Sequence, residues 1–238
     1  MPAIWELVKS QGKVAILVPH SGRVSMKWME MMRTLESPNS FLITTKGYPL
    51  DVARDYQVNQ ALDSGADWLF FLDSDVIVPK NIIPVFTQLG VPIISGIYTA
   101  KRAYPNPLCW SMWGIVPEPT KESLERHEYF AAVVKWEGRN IEVDVVGTGC
   151  LMVHRSVFEA IRAKFPNYPF FFWTRDRHPG MLDMLNLEDE RMRYISEDFW
   201  FCMLAKKCGF KIVVDTECKC IHEGDVEFED LEARVSGA

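Results

Sequence analysis

The 238-residue sequence has no excess of positive charge: 26 Lys and Arg stand against 32 Asp and Glu, a formal net charge of -6. That balance speaks against a protein whose main task is to wrap nucleic acid. The acidity is local, because Glu223 to Ala238 carries six acids and one Arg, which leaves 26 acids against 25 bases in the preceding 222 residues. No apolar run approaches the roughly 18 to 20 residues that span a bilayer. The opening Met-Pro-Ala-Ile-Trp-Glu-Leu lacks the charged-then-apolar layout of a signal peptide, so the expected location is the cytoplasm. Six Cys are too few for a disulfide framework in a chain of this size and are expected as reduced thiols. There is no internal repeat, and no Gly-, Pro- or Ser-rich linker divides the chain. The expectation is one domain over residues 1–222 followed by an acidic tail over residues 223–238.

What is present is a strand-helix alternation. Lys13 to Pro19, Phe41 to Thr45, Trp68 to Leu72 and Val91 to Tyr98 read as strands, the third apolar on both faces as central parallel strands are. A helix is expected from Ser25 to Leu35 with Met26, Met29, Met32 and Leu35 at helical spacing. Another is capped by Asp51, runs to about Ser64 and stops at Gly65. This order predicts an α/β fold with a mainly parallel sheet, whose ligands gather at the carboxyl ends of the strands. Further on, Tyr104 to Pro119 reads as loop, and Tyr129 to Trp136 with Ile141 to Val146 as strands that could pair in a hairpin. Helices are expected at Ser156 to Phe165 and from a Ser196 cap to Gly209, followed by a strand from Lys211 to Asp215.

Asp73-Ser74-Asp75 directly follows the apolar run ending at Leu72. Two carboxylates at that spacing, at the carboxyl end of a central strand, can share Mg²⁺ or Mn²⁺ and through it neutralise a diphosphate; the bland alternative is a polar turn. Glu197 and Asp198 open a helix, where acids are favoured by the helix dipole, and where one carboxylate could instead take a proton from a hydroxyl. Arg54 and Asp55 read either as phosphate or base contacts or as a surface ion pair. Lys101 and Arg102 follow the fourth strand and could meet a diphosphate or an anionic acceptor. Gly147-Thr148-Gly149 either lets backbone approach a sugar closely or makes a tight turn. Trp110 and Trp113 are large amphipathic aromatic faces in the stretch Tyr104 to Pro119, with core packing as the alternative to a binding role. No Gly-x-x-x-x-Gly-Lys-Ser/Thr is present, which disfavours a P-loop nucleotidase.

Taken in order, Ala53-Arg54-Asp55, Ala66-Asp67-Trp68 through Asp73-Ser74-Asp75, Ser95-Gly96-Ile97-Tyr98 with Lys101-Arg102, Gly147-Thr148-Gly149-Cys150, Ser196-Glu197-Asp198 and His222 resemble the GT-A class of nucleotide-sugar glycosyltransferases, especially its family 2-like branch. The resemblance covers roughly Lys13 to Glu223. It implies a Rossmann-like αβα sandwich and transfer of a sugar from a UDP- or GDP-activated donor to an acceptor hydroxyl. It places Asp73 near the ribose or the metal, Asp75 on the metal, and His222 as a third ligand of Mn²⁺ or Mg²⁺. The loop Pro19-His20-Ser21-Gly22-Arg23 would hold base and ribose, with Ser74, Arg54, Asp55, Lys101, Arg102 and Gly147 to Gly149 along the nucleotide sugar. Asp198 would be the base, with Glu197 as acceptor-binding partner or alternative base. The Glu-Asp pair points to inversion, whereas a His ligand is also at home in retaining members; inversion is the expectation.

The acceptor is not legible: glycan, lipid-linked glycan, protein, metabolite and modified nucleic-acid base all stand open. The segment Phe170 to Tyr194, with Arg175 and Arg177, is a candidate lid. A non-catalytic nucleotide-sugar or glycan-binding protein on the same fold is the alternative. Cys202, Cys208, Cys218, Cys220 and His222 offer ligands enough for zinc, but without the paired spacing of zinc modules; buried thiols are expected.

Overall fold

The computed structural model describes residues 12–100, 107–112, 130–133, 135–174 and 195–223. Its centre is a seven-stranded sheet in the order β2-β1-β3-β10-β5-β11-β8. The strands are β1 (Val14–His20), β2 (Ser40–Lys46), β3 (Trp68–Leu72), β5 (Ile93–Ile97), β8 (Asn140–Val143), β10 (Cys150–His154) and β11 (Ile212–Lys219). β1 pairs in parallel with β2 and β3, and β5 with β11, whereas β10 runs antiparallel between β3 and β5, and β8 antiparallel beside β11. Five of the seven strands thus run in one direction, a mainly parallel sheet as expected, although three of its six pairings are antiparallel.

Alternation along β3 shows how the layers are built. Leu69 and Phe71 face one side, with Val58 and Ala61 of α2 (Leu50–Asp63), Val157, Phe158 and Ile161 of α4 (Arg155–Lys164) and Trp200, Phe201 and Leu204 of α5 (Glu197–Lys207). Trp68, Phe70 and Leu72 face the other, with Trp28 and Met31 of α1 (Met26–Thr34) and Ile82, Ile83 and Phe86 of α3 (Ile82–Leu89). Every β3 side chain is at most 1% exposed, and full burial of each large one contributes about 1.5–3 kcal/mol. β3 therefore delivers the residue after Leu72 to the rim of the sheet from a fixed position.

Several local expectations are corrected. α1 begins at its Ser25 cap, whose hydroxyl accepts the Trp28 amide at 2.9 Å, but it buries Trp28 and Met31, not Met26 and Met29, which are 77% and 51% exposed. The helix is apolar on more than one face, and the indole supplied the larger buried area. Asp51 does not cap α2: the N-cap position is Pro49, and Asp51 is buried within the first turn, where it accepts the Trp173 amide at 3.3 Å. Gly65 does follow the helix with φ +74.

Among the described residues, the two runs expected to pair as a hairpin over Tyr129 to Val146 do not pair with each other. β7 (Phe130–Ala132) and β9 (Val145–Val146) both pair with β6 (Cys109–Met112), which lies within the stretch read as loop, and β8 joins the main sheet. Asp144 separates β8 from β9, so the run Ile141 to Val146 serves two sheets. The central strand β10 is an addition to the sequence reading, which passed from Gly149 to the following helix. β11 also extends past Asp215 to Lys219 through a register shift. A short ribbon pairs β4 (Val76–Ile77) with β12 (Ile221–His222).

Candidate active site

Asp73, Ser74 and Asp75 leave the carboxyl end of β3 and are held by backbone contacts on both sides. The Asp73 amide donates to Gly149 O at 3.0 Å, and Asp73 O accepts the Trp28 indole N–H at 3.1 Å and the Val76 amide at 3.2 Å. The ribbon then brings the far end of the chain here: His222 lies opposite Val76, and the Glu223 amide donates to Asp75 O at 2.7 Å. The Glu223 carboxylate accepts from Ser25 Oγ at 2.6 Å, which ties the same corner to the start of α1.

As a result His222 Nε2 stands 3.6 Å from Asp75 Oδ1. That distance exceeds a hydrogen bond but suits two ligands of one cation. His222 Nδ1 is 2.9 Å from Thr99 O; a carbonyl only accepts, so Nδ1 carries a proton, and Nε2 lies on the Asp75 side. Among the described residues no group of three or more His, Cys, Asp and Glu is arranged to hold a metal. Asp73, the first carboxylate of the motif, has its Oδ1 on Arg54 at 2.9 Å.

Arg54 is neither a phosphate contact on the surface nor an exposed ion pair. It is 2% exposed, with Nη2 on Asp73, and Nη1 on Asp198 Oδ1 at 3.1 Å and on Glu197 Oε1. Three carboxylates from two elements thus surround one buried guanidinium. Burial would lower the Arg54 pKa, but the charges of Asp73, Asp198 and Glu197 outweigh it and raise it. One cation does not balance three anions. Burial, with Asp198 beside it, accordingly pushes Glu197 up to about 8 against the pull of Arg54, and burial raises Asp73 above the usual carboxylate value.

Asp198 is placed differently from its neighbour. Its side chain is 22% exposed where that of Glu197 is 5%, and its Oδ1 also accepts Thr148 Oγ1 at 3.0 Å. Partial exposure lets a substrate hydroxyl reach it. The glycines flanking Thr148 answer to a protein side chain: a Cβ on Gly147 would lie 2.5 Å from Tyr98 Oη, and one on Gly149 2.8 Å from Tyr98 Oη and 3.0 Å from Asp73 Oδ2.

The remaining sequence candidates divide. Pro19 and His20 end β1, and Arg23 is exposed on the loop beyond, where Gly22 at φ +106 lies against Lys46 of β2. Ser74 is half-buried between the two aspartates. Asp55 turns away from the cluster and accepts the Phe170 amide at 2.7 Å, a brace for the segment behind α2. Trp110 lies in β6, paired with Val145 and Ala132. Lys101, Arg102, Trp113, Arg175, Arg177, most of the candidate lid and the acidic tail beyond Glu223 lie outside the described residues.

The cysteines are dispersed as free thiols, as expected, and do not gather with His222 into a C-terminal metal group. Cys202 packs on the α2 side of the sheet and Cys218 and Cys220 on the α1 side, with Cys220 Sγ 3.5 Å from Cys150 Sγ, while His222 points to Asp75 and Thr99. The thiols are free, and all are buried except half-buried Cys208. Sequence reasoning missed Tyr98 and Thr99 as site residues. The signal was available, since they follow β5 as Asp73 follows β3, at the same edge of a parallel sheet.

No protein-family model and no curated protein sequence matches the chain. Among solved structures, it is similar to the crystal structure of A197 from STIV, with a TM-score of 0.56 and 16% identity, over 90% of this chain and 86% of that one. It also matches the crystal structure of GalNAc-T7 with UDP, GalNAc and Mn²⁺, with a TM-score of 0.49 and 11% identity, over 90% of this chain and 44% of that one. At these identities the likeness is one of fold alone: helices on both faces of a central sheet most of whose strands run in one direction. Among the described residues no helix is long and apolar enough to cross a membrane.

Proposed function

We propose that the chain is a metal-dependent glycosyltransferase that moves a sugar from a UDP- or GDP-sugar to an acceptor hydroxyl with inversion. The observation that carries this reading is the convergence, at the carboxyl edge of one sheet, of the facing pair Asp75 and His222 with the partly exposed carboxylate of Asp198. The first pair is suited to a hard divalent cation, since Mg²⁺ and Mn²⁺ are commonly held by few protein ligands and completed by substrate phosphates. Mn²⁺ or Mg²⁺ bound there would stabilise the negative charge on the departing nucleoside diphosphate.

The other steps belong to the chain itself. Asp198, oriented by Thr148 and Arg54, takes the proton of the acceptor hydroxyl as that oxygen attacks the anomeric carbon. Glu197, largely protonated near neutral pH, lies behind it as a hydrogen-bonding partner of Arg54 and not as the base. Arg54 sets the distance between Asp73, on the ribose or metal side, and Asp198, on the acceptor side. Pro19, His20, Ser74 and Arg23 border the place for base and ribose, and the Gly147 to Gly149 turn runs between the two halves. Lys101 and Arg102 are proposed on the diphosphate, and Trp110 and Trp113 on the acceptor side. The domain is taken to end at residue 222 and the chain to act in the cytoplasm.

A panel of UDP-, GDP-, CMP- and TDP-sugars with Mn²⁺, read by thermal unfolding and by release of the nucleotide, tests this. One donor should stabilise the protein by mass action, about 2.7 kcal/mol at a hundredfold excess over Kd, and be turned over. Stabilisation without release under any acceptor would favour a nucleotide-sugar-binding protein, and neither effect with any donor would overturn the assignment. The anomeric proton of the product, read by NMR, decides inversion.

A further inference from the structure

Tyr98 is buried at the end of β5, 3% exposed, and grips the Gly147 to Gly149 turn from two directions. Its hydroxyl accepts the Gly149 amide at 2.7 Å. Its carbonyl accepts the Leu108 amide at 2.8 Å, and Leu108 O in turn accepts the Gly147 amide at 3.0 Å. The residue between those two anchor points is Thr148, 1% exposed, whose hydroxyl meets Asp198. Both glycines admit the phenol where any Cβ would collide with it. On its other side the Tyr98 ring stands edge-on to His222, centroids 5.8 Å apart, and the next residue, Thr99, accepts His222 Nδ1–H.

We infer that Tyr98 is a positioning residue for Asp198: by accepting the Gly149 amide it holds Thr148 where its hydroxyl donates to that carboxylate. This rests on the reading of Asp198 as the base. A phenylalanine of the same shape would keep the ring contacts and the main-chain clamp through Leu108 but leave the Gly149 amide without its acceptor. The turn can then rotate, and the Thr148 hydroxyl leaves Asp198. Tyr98 itself is not a competing base, since burial holds its phenol well above its ordinary pKa and keeps it neutral. With Thr99, it makes the end of β5 a common support for the Asp198 and His222 sides of the cleft.

The test compares the parent with Tyr98→Phe, Thr148→Val and the double variant, each first shown to be folded by a cooperative thermal transition. The ¹³Cγ resonance of Asp198 is an activity-independent readout. It should move in the same direction in both single variants, and the double variant should match Thr148→Val, because Tyr98 acts through Thr148. In turnover with the best donor, Tyr98→Phe should lower kcat about tenfold with donor KM within about twofold, a part of what a general base supplies. An unmoved Asp198 resonance in Tyr98→Phe, or additive effects in the double variant, overturns the inference. A parent inactive with every nucleotide sugar overturns the proposed reaction, and with it the role of Asp198, while the resonance still reports whether Tyr98 sets the Thr148 contact.

Discussion

Arg54 Nη2 stands 2.9 Å from Asp73 Oδ1, so the first carboxylate of the motif beyond β3 is tied to helix α2 and, through the same guanidinium, to Asp198 of helix α5. An arginine in this place is an internal counter-charge. It keeps carboxylates on two elements close together and costs no exposed surface.

Replacing Arg54 by Met leaves Asp73, Glu197 and Asp198 buried or half-buried without a cation. Loss of one partner from such a network should destabilise the protein by about 3–5 kcal/mol. Equilibrium urea unfolding measures this; a loss below about 1 kcal/mol would show that the carboxylates relax into solvent. Arg54→Lys should recover part of it, as one ammonium cannot span all three.

Glu197 makes stability depend on pH in a direction unusual for an acid. An unfolded Glu titrates near about 4.3, and the folded one is pushed up to about 8. With the folded pKa the higher, its contribution is fully present below the unfolded value and is lost as pH rises through about 8. Denaturation midpoints should therefore decline across this window in the parent and decline less in Glu197→Gln. Parallel curves for the two proteins would contradict the assignment.

Gly147→Ala brings a Cβ within 2.5 Å of Tyr98 Oη, and the turn or the phenol must move. The expected cost is about 1–3 kcal/mol, the range for an overpacked interior. Because the closest atom is the hydroxyl oxygen, adding Tyr98→Phe should relieve part of that cost, which a double-mutant cycle in thermal unfolding would reveal. Strict additivity would mean that the strain lies elsewhere.

Thiol accessibility checks the placement of the cysteines. Under native conditions a disulfide-exchange reagent should modify Cys208 and leave Cys109, Cys150, Cys202, Cys218 and Cys220 unreacted, with all six reacting in denaturant. Fast native labelling of Cys150 or Cys220 would place the α1 side of the sheet in solvent.

What could be read before folding followed from local physics. The uninterrupted run Trp68 to Leu72 announces a central strand, and carboxylates right after it must lie at the ligand edge. The two faces of α1 could not be told apart by spacing, since Met26, Met29 and Met32 recur as helically as Trp28, Met31 and Leu35. β10 was legible only in part: Cys150 to Val153 is apolar but short, and its antiparallel insertion between β3 and β5 depends on strands 50 or more residues away. Arg54 is the site residue least legible in the sequence. Its partners at Asp73, Glu197 and Asp198 are supplied by the packing of α2 against α5 and the end of β3, which no local pattern around Ala53-Arg54-Asp55 contains. The same holds for Tyr98, whose meaning comes from two glycines some 50 residues further on.

In the proposed function, Asp75 with His222 serves the donor and Asp198 the acceptor. The most direct test follows nucleotide release and sugar transfer from the best-stabilising donor with Mn²⁺, for the parent, Asp75→Ala and Asp198→Asn, alongside donor affinity by calorimetry. Expected are a loss of donor binding in Asp75→Ala, and in Asp198→Asn a donor affinity near that of the parent with transfer reduced by about 10²-fold or more. Unchanged transfer in Asp198→Asn, or unchanged metal-dependent donor binding in Asp75→Ala, would contradict the division of the site.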